Sequence, residues 1–597
     1  MEDASIYYEK CIFYNNKNMN IVKKRLTHMY IYRLASFICF ASFMCTYIHY
    51  NYLLLLVIAI FFLITFLGLI KYDLNLDKRY NILKLRTDVY QEELDIINNN
   101  YSYRNTGVVY SELNKHLIAD FDIVGEGSLF QFINRTRTIK GEKKLAQALC
   151  NPICTNERIE EHQKAIHELS TKIKFINNFL TYGKTFTEVE SEYNYLESWI
   201  NSTDKERTKA KFLCILSPCL TAIWICAIFL GLLDSGTLIL LMVSNLLIVN
   251  LNNKKIELAH EKLGRMAKIV KKYYYLICLI ENETFSSKLL NEIKSCLISE
   301  DNISSKKIKQ LFKILDMFDS RHNMLISYVL NSFIAFNLQV FYILNKWKIK
   351  NGANIMPWFD SLAEIDYLIS FAIFEYNNAK DVIYPKISTE KFELSTKEIG
   401  HPLINSDNRI TNDIVINKTP AIIIITGANM AGKSTFLRTI ATNLILALNG
   451  SPVCAKEFIF SPCSIMSSIK IQDSLARNES YFYAEISRLN EIVSFVKKEK
   501  KTIVILDEIL RGTNSKDKQI GSLGLLKKLI YENAIVIIAT HDLAIGELEQ
   551  DFPEIATNYC FEVELRNDIL NFDYKLKKGI STKLNASFLL RKMELID

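Results

Sequence analysis

"IIIITGANMAGKSTFLR", residues 422–438, reads as a buried strand, a glycine-bearing loop and a helix in immediate succession. The run of isoleucines is the pattern of a strand covered on both faces of a parallel sheet. Residues 427–434, GANMAGKS, fit G-x-x-x-x-G-K-[ST], and a strand before with a helix after is the context that this pattern requires. Backbone N–H groups of such a loop and of the helix N-terminus face phosphates. The expectation is an ATP site built on Gly427, Ala428, Asn429, Met430, Ala431, Gly432, Lys433, Ser434 and Thr435. Lys433 is expected to reach the β and γ phosphates and Ser434 to bind Mg²⁺ through its hydroxyl. Gly427 and Gly432 permit the sharp backbone path.

Two further segments complete the chemistry. "TIVILDEILRGTNSKD", 502–517, is an apolar strand ending in two acids. Asp507 at the strand end is expected to hold Mg²⁺ through water, and Glu508 to polarise the attacking water. "IVIIAT", 535–540, is another strand, ending at His541. A lone histidine is ordinarily a plain surface residue; its strand-end placement, like that of Asp507, points to a role near the γ phosphate.

Together these segments resemble the ATPase domain of the MutS mismatch-repair family. "TGANMAGKSTFLR" is similar to the family's T-G-x-N-M-x-G-K-S-T loop, with Asn429 and Met430 separating it from generic phosphate loops. "LDEILRGTNSKD" resembles D-E-x-x-R-G-T-S, with Asn514 where the family prefers Ser or Thr, and "ATHD" resembles A-T-H. "NESYFYAEISRL", 478–489, is similar to S-T-F-x-x-E. The resemblance implies that Ser480 reaches across a dimer to the partner's nucleotide. "GHPLI", "ITNDIVI" and the closing "KKGISTKLNASFLLRKM" (577–593) resemble flanking segments of the same domain. Arg409 stands where an aromatic often stacks on adenine, and a guanidinium also stacks. Upstream, 125–169 and 361–372 resemble the two ends of the family's helical core. The departures are that only about 120 residues, many of them apolar, precede that core, so the mismatch-reading domain is expected to be lacking, and that the chain ends soon after Met593. "FTE", 186–188, imitates the family's F-x-E wedge inside the core region and is read as chance.

Composition bounds the rest. The chain has 597 residues, 49% hydrophobic, with formal net charge +7. That charge permits nucleic-acid or anionic-lipid contact without requiring either. Thirteen scattered cysteines form no framework, and Cys150 and Cys154 have no second pair at zinc spacing, which suits the reducing cytoplasm. Residues 34–70 contain no Asp, Glu, Lys or Arg, enough for two membrane helices joined by the turn "HYNY", 49–52. A second apolar run, 212–233 and 237–251, reads as another hairpin or as a buried core helix pair. Lys and Arg flank both runs and are missing from both turns, so both hairpins are expected to enter from the cytoplasmic side. Between and after them, 72–211 and 252–385 read as helical at period 3.6, and strands alternate with helices from 386.

The expected fold is therefore mixed: a helical lever and core region plus a C-terminal α/β P-loop ATPase domain, with two transmembrane hairpins. The expected divisions are an N-terminal cytoplasmic segment 1–28, hairpin 29–71, helical linker and core 72–211, hairpin 212–251, lever 252–385 and ATPase domain 386–597. Two functions stay open: a dimeric, multi-pass membrane ATPase gripping DNA in repair or recombination, or the same ATPase acting on membrane or protein partners. Basic runs such as "KKEKK" are explained equally well by solvated helix faces. The spans carry no charge that would mark a transport pathway.

Overall fold

The computed structural model describes residues 3–581 apart from 203–207, 252, 300–301, 320–323, 390, 429, 471–480, 500 and 567–568. Two long helices open the chain, α1 (Ala4–Tyr50) and α2 (Leu53–Ile97). No Gly or Pro interrupts α1, and α2 contains only Gly68, so neither helix has an internal stop. Asn51, left-handed at φ 56°, turns the chain between them. Arg33 pairs with Asp73 where charge resumes on both helices. The uncharged tip beyond that pair, Leu34–Tyr50, is about 25 Å long at 1.5 Å per residue. Both helices are long and apolar enough to cross a membrane. Residues 4–28 and the part of α2 after 71 continue the hairpin as a paired helical stalk. The stalk base is docked, with Tyr8 buried and its hydroxyl donating to Asn377 Oδ1 at 3.1 Å.

The second apolar region is organised differently. Its helices α3 (Thr208–Phe229) and α4 (Leu238–Leu251) have apolar parts Leu216–Phe229 and Ser235–Leu247. Each is about 20 Å long, against about 30 Å for a hydrocarbon core. After α5 (Asn253–Asn282) the chain returns through α6 (Met324–Ile334) and α7 (Phe336–Asn377), bent by 77° at left-handed Ala335. α3 and α4 pack on α6 and on the start of α7. Asn245 of α4 donates to the carbonyls of Ser332 (2.9 Å) and Phe333 (3.2 Å), and Ser217 of α3 donates to Asn245 Oδ1 at 2.9 Å. Residues 322–345 carry no Asp, Glu, Lys or Arg. The sequence reading placed them within the helical lever 252–385. In the structure Asn331 Oδ1 accepts from Asn337 N across the bend at 2.9 Å.

α7 then runs some 40 residues to the stalk base. About three-quarters of the way along, buried Asp366 accepts from the N–H groups of Arg137 (3.0 Å) and Thr138 (2.8 Å) and from the Thr138 hydroxyl, fastening the core's first helices to α7. Burial raises Asp366 to about 6.

From Lys386 the backbone changes to strands. The main sheet contains β1 (Ala421–Gly427), β2 (Ser464–Ser468), β3 (Thr502–Asp507), β4 (Ile535–Ala539), β5 (Ala556–Arg566) and β6 (Ile569–Lys578). Its order is β6-β5-β1-β4-β3-β2, parallel except for β6 at one edge. Every residue of β1 is buried, as its isoleucine run requires. The helix α8 (Lys433–Leu448) leaves the loop after β1 and packs back on β1 and β4. A smaller four-stranded sheet joins Lys386–Ile387, Leu394–Ile399 and Asn412–Ile416, which precede β1, to Glu457–Phe460, which follows α8. The molecule is thus a helical N-terminal and core region followed by a C-terminal α/β domain.

Candidate functional site

The parallel register brings the C-terminal ends of β1, β3 and β4 side by side, the usual place for a site in an α/β sheet. Lys433, first residue of α8, folds back over its own loop. Its ammonium donates to the carbonyls of Gly427 and Ala428, both at 2.9 Å, and lies 3.2 Å from His541 Nε2. Burial lowers the Lys433 pKa while the Glu508 and Asp507 carboxylates oppose that shift. Gly427 (φ 146°) and Gly432 (φ 103°) both occupy backbone that disfavours a side chain. A Cβ on Gly427 would stand 2.6 Å from the Phe561 carbonyl oxygen, so β5 itself requires a glycine there.

Ser434 Oγ donates to Asp507 Oδ2 at 2.5 Å. Asp507 Oδ1 is buried and has no hydrogen-bond partner among the described residues, and burial raises the carboxyl's pKa. A hydroxyl beside an under-coordinated carboxylate is an oxygen donor set that suits Mg²⁺ completed by phosphate and water. Glu508 sits at φ 47°, a left-handed turn that lifts its carboxylate off the strand end. Its Oε1 lies 2.8 Å from His541 Nε2 and its Oε2 3.4 Å from Arg511 Nε. The His541 hydrogen bond, aided by Arg511 and Lys433, holds Glu508 down at about 2. Glu485 is buried beneath this turn, its Oε1 accepting from Leu510 N at 2.5 Å.

Lys433, Ser434 and Glu508 face a cleft of about 480 Å³ lined by Met430, Gly432 to Phe436 and, from the other side, His401, Asn412 and Tyr574, with Asp507 bonded to Ser434 and His541 beside Glu508. Arg409 does not line this cleft. Its Nε donates to the Ile404 carbonyl at 2.9 Å and its Nη1 faces Asp381 at 3.5 Å. Gly400 makes room for it: a Cβ there would lie 2.3 Å from Arg409 Cδ. The aromatic at the cleft is Tyr574 of β6, close enough to Gly432 that a Cβ there would meet its Cδ1 at 3.1 Å. Asn412 holds this strand, donating to the Tyr574 carbonyl and accepting from Leu576 N. The sequence reading missed Tyr574 and the Arg511 contact. The alternation of Phe572 and Tyr574 in "NFDYKL" was the available signal for the first. Asn429 and Ser480 lie outside the described residues.

Fold and site together define the class: a helical core carrying a C-terminal α/β domain whose sheet edge gathers a lysine loop, a serine–aspartate pair and a glutamate–histidine pair. Comparison supplies the family. The profile described as MutS domain III matches residues 110–372, and that of MutS domain V matches 423–592. The chain is 27% identical over 495 residues to the DNA mismatch repair protein MutS of Aquifex pyrophilus, covering 76% of this chain and 56% of that one. It is 26% identical over 509 residues to the mismatch repair protein MSH3 of Debaryomyces hansenii, covering 73% and 48%. With MutS of Thermotoga maritima it shares 30% over 229 residues, 38% of this chain and 28% of that one. The chain therefore belongs to the MutS family, and it spans from about a quarter to just over half the length of these relatives.

Proposed function

We propose that this chain is a membrane-anchored ATPase whose nucleotide cycle opens and closes a homodimer. The observation that carries the reading is the convergence of Lys433, Ser434 and Glu508 on one cleft, with Asp507 bonded to Ser434 and His541 to Glu508. At the level of the family, MutS proteins are ATPases that use ATP and Mg²⁺, act as dimers and bind DNA, which supports it.

In this reading Lys433 leaves the Gly427 and Ala428 carbonyls for the β and γ phosphates, while loop N–H groups hold the remaining oxygens. Ser434 and Asp507 hold Mg²⁺, which would neutralise charge developing on the phosphates. Glu508, ionised at any ordinary pH, orients the attacking water, and His541 beside it senses the γ phosphate. Tyr574, rather than Arg409, stacks on the base. Ser480 of the partner chain completes the closed site.

The work done by the cycle has two readings. The family favours DNA in a repair or recombination role. The stalk favours the membrane, because α1 and α2 run without a break from their apolar tip to Asn377 at the end of α7. The deciding experiment is DNA binding by the detergent-solubilised chain, with and without ATP, over a salt series. Duplex, mismatched, branched and single-stranded DNA form the panel. ATP-modulated binding with a steep salt dependence supports the DNA reading. ATPase activity with no binding across the panel rejects it. A purified chain that hydrolyses no ATP overturns the ATPase reading itself.

A further inference from the structure

A second cavity, of about 810 Å³, lies between the stalk and the helical core, away from the nucleotide cleft. Six cations line it: Lys78, Arg79 and Arg86 from α2, and Lys268, Lys271 and Lys272 from α5. No carboxylate does. Lys272 is neutralised by Glu188 at 2.7 Å and donates to the Phe186 carbonyl. The other five have no carboxylate partner among the described residues. Arg86 donates through Nη2 to Asn178 at 2.8 Å, but its Nε is buried without a hydrogen-bond partner among the described residues. Lys268 lies over the Phe186 ring at 5.8 Å and Lys271 over Phe312 at 5.3 Å, which holds both ammonium groups in place. Tyr182 and Tyr275, stacked at 5.2 Å, form part of the same wall. Uncompensated like charges gathered in a concave site repel one another and favour a multiply bonded anion.

The position of the cavity selects the anion. Lys78 follows Lys71, the first charge after the hairpin tip on α2, by seven residues, or about 10 Å of helix, and Arg86 lies about 22 Å from it. Headgroup layers extend roughly 5–8 Å beyond the hydrocarbon. The Lys78 and Arg79 side chains at the cavity mouth, leaning back toward the tip, reach the level of lipid phosphates, and Ile82, Leu83 and Leu85 supply an apolar lining beneath them. Basic pockets beside spans on the cytoplasmic side are suited to anionic lipid headgroups.

We infer that this cavity binds the phosphate headgroup of an anionic phospholipid and thereby fastens the stalk to the core at the membrane surface. The inference rests on the membrane reading above. It is tested on the full chain in mild detergent holding equal amounts of short-chain phosphatidylglycerol and phosphatidylcholine. Lipid retained through gel filtration is measured by mass spectrometry. The expected result is an enrichment of phosphatidylglycerol of about tenfold, falling to near parity in the double variant Lys268→Gln/Lys271→Gln. Both changes lie on α5, outside the hairpin and the nucleotide cleft, and unchanged ATPase activity certifies the variant's fold. Equal retention of both lipids by the unaltered chain, or unchanged enrichment in the variant, overturns the inference. So does displacement of the lipid by millimolar inorganic phosphate at matched ionic strength, which would make this a site for free phosphate. Carbonate extraction of membranes from expressing cells separates the two readings. A chain that is extracted overturns the membrane reading and this one together; a chain that resists but shows no lipid preference overturns this one alone.

Discussion

Lys433 makes three contacts, with the Gly427 and Ala428 carbonyls and with His541. Lys433→Ala is expected to remove a charge-assisted contact worth about 2–3 kcal/mol. Nucleotide affinity, measured by a fluorescent ATP analogue, should fall roughly 100-fold. Glu508→Ala should leave that affinity nearly intact and lower the turnover rate by about 100-fold or more, the usual share of a positioned base. A Glu508→Ala protein that turns over at the normal rate would remove Glu508 from its role. His401 shows a different kind of effect. Burial, with Arg438 and Arg409 nearby, lowers it to about 4 from an ordinary 6.5. The unfolded chain then binds more protons than the folded one between those values. Stability from this group is complete above pH 6.5 and is lost as pH falls toward 4. Urea midpoints at pH 7.5 and pH 5 should differ, and His401→Gln should narrow the gap; an unchanged gap would place the acid sensitivity elsewhere. At this scale the loop, Asp507, Glu508 and His541 were legible because each sits at a strand end fixed by an apolar run. Arg409 and Tyr574 were not, since their sites depend on a space left by Gly400 and on the fold-back of β6.

Helix-scale behaviour is set by how α7 is held. Asp366 fastens it to Arg137 and Thr138, and Gly141 packs so close that an added Cβ would lie 2.3 Å from Asp366 Oδ2. Gly141→Ala should displace the carboxylate and destabilise the core by about 1–3 kcal/mol. A lowered urea midpoint reads this, and no change would mean that the junction yields. Asn245 has the same position in the second apolar region, joining α3 and α4 to the bend before α7. Asn245→Leu leaves the Ser217 hydroxyl and the Ser332 carbonyl without this partner, at a cost of roughly 1–2 kcal/mol in an apolar bundle. Retained thermal stability would mean that water or lipid replaces the amide. The apolar helices themselves were legible from charge-free runs. The bundle was not, because a charge-free run does not record which helices pack together, and α6 with the start of α7 meets α3 and α4 only in the tertiary structure.

Across the whole molecule, one continuous path of helix links the apolar tips to the nucleotide domain. α1 and α2 meet the end of α7 at Tyr8 and Asn377, and α7 begins in the second apolar bundle. Closure of two nucleotide domains should therefore move both apolar regions. Glu508→Ala with ATP is expected to double the mass seen by light scattering, and spin labels on the stalk should shift on ATP addition. A monomeric Glu508→Ala protein under saturating ATP would remove the dimer cycle. Labelling of single cysteines near Lys71 and Lys254 from outside intact cells should fail if both flanks face the cytoplasm; reaction at either would overturn the shared orientation.

The amino-acid sequence by itself determined the local elements that depend on short-range pattern. The isoleucine strand, the glycine loop, the acids at a strand end and the long charge-free helices all follow from residue spacing and backbone preference within a few turns. Only the tertiary structure decided which distant residues share a space. It turned Arg409 away from the cleft, brought Tyr574 to it, gathered α6 with α3 and α4, and set around one cavity five cations from α2 and α5 that have no carboxylate partner among the described residues. The physical reason is range. Periodicity records which face of an element is apolar, whereas a site between elements depends on packing angles and on small residues such as Gly400 and Gly141 that permit close approach, and neither leaves a periodic trace.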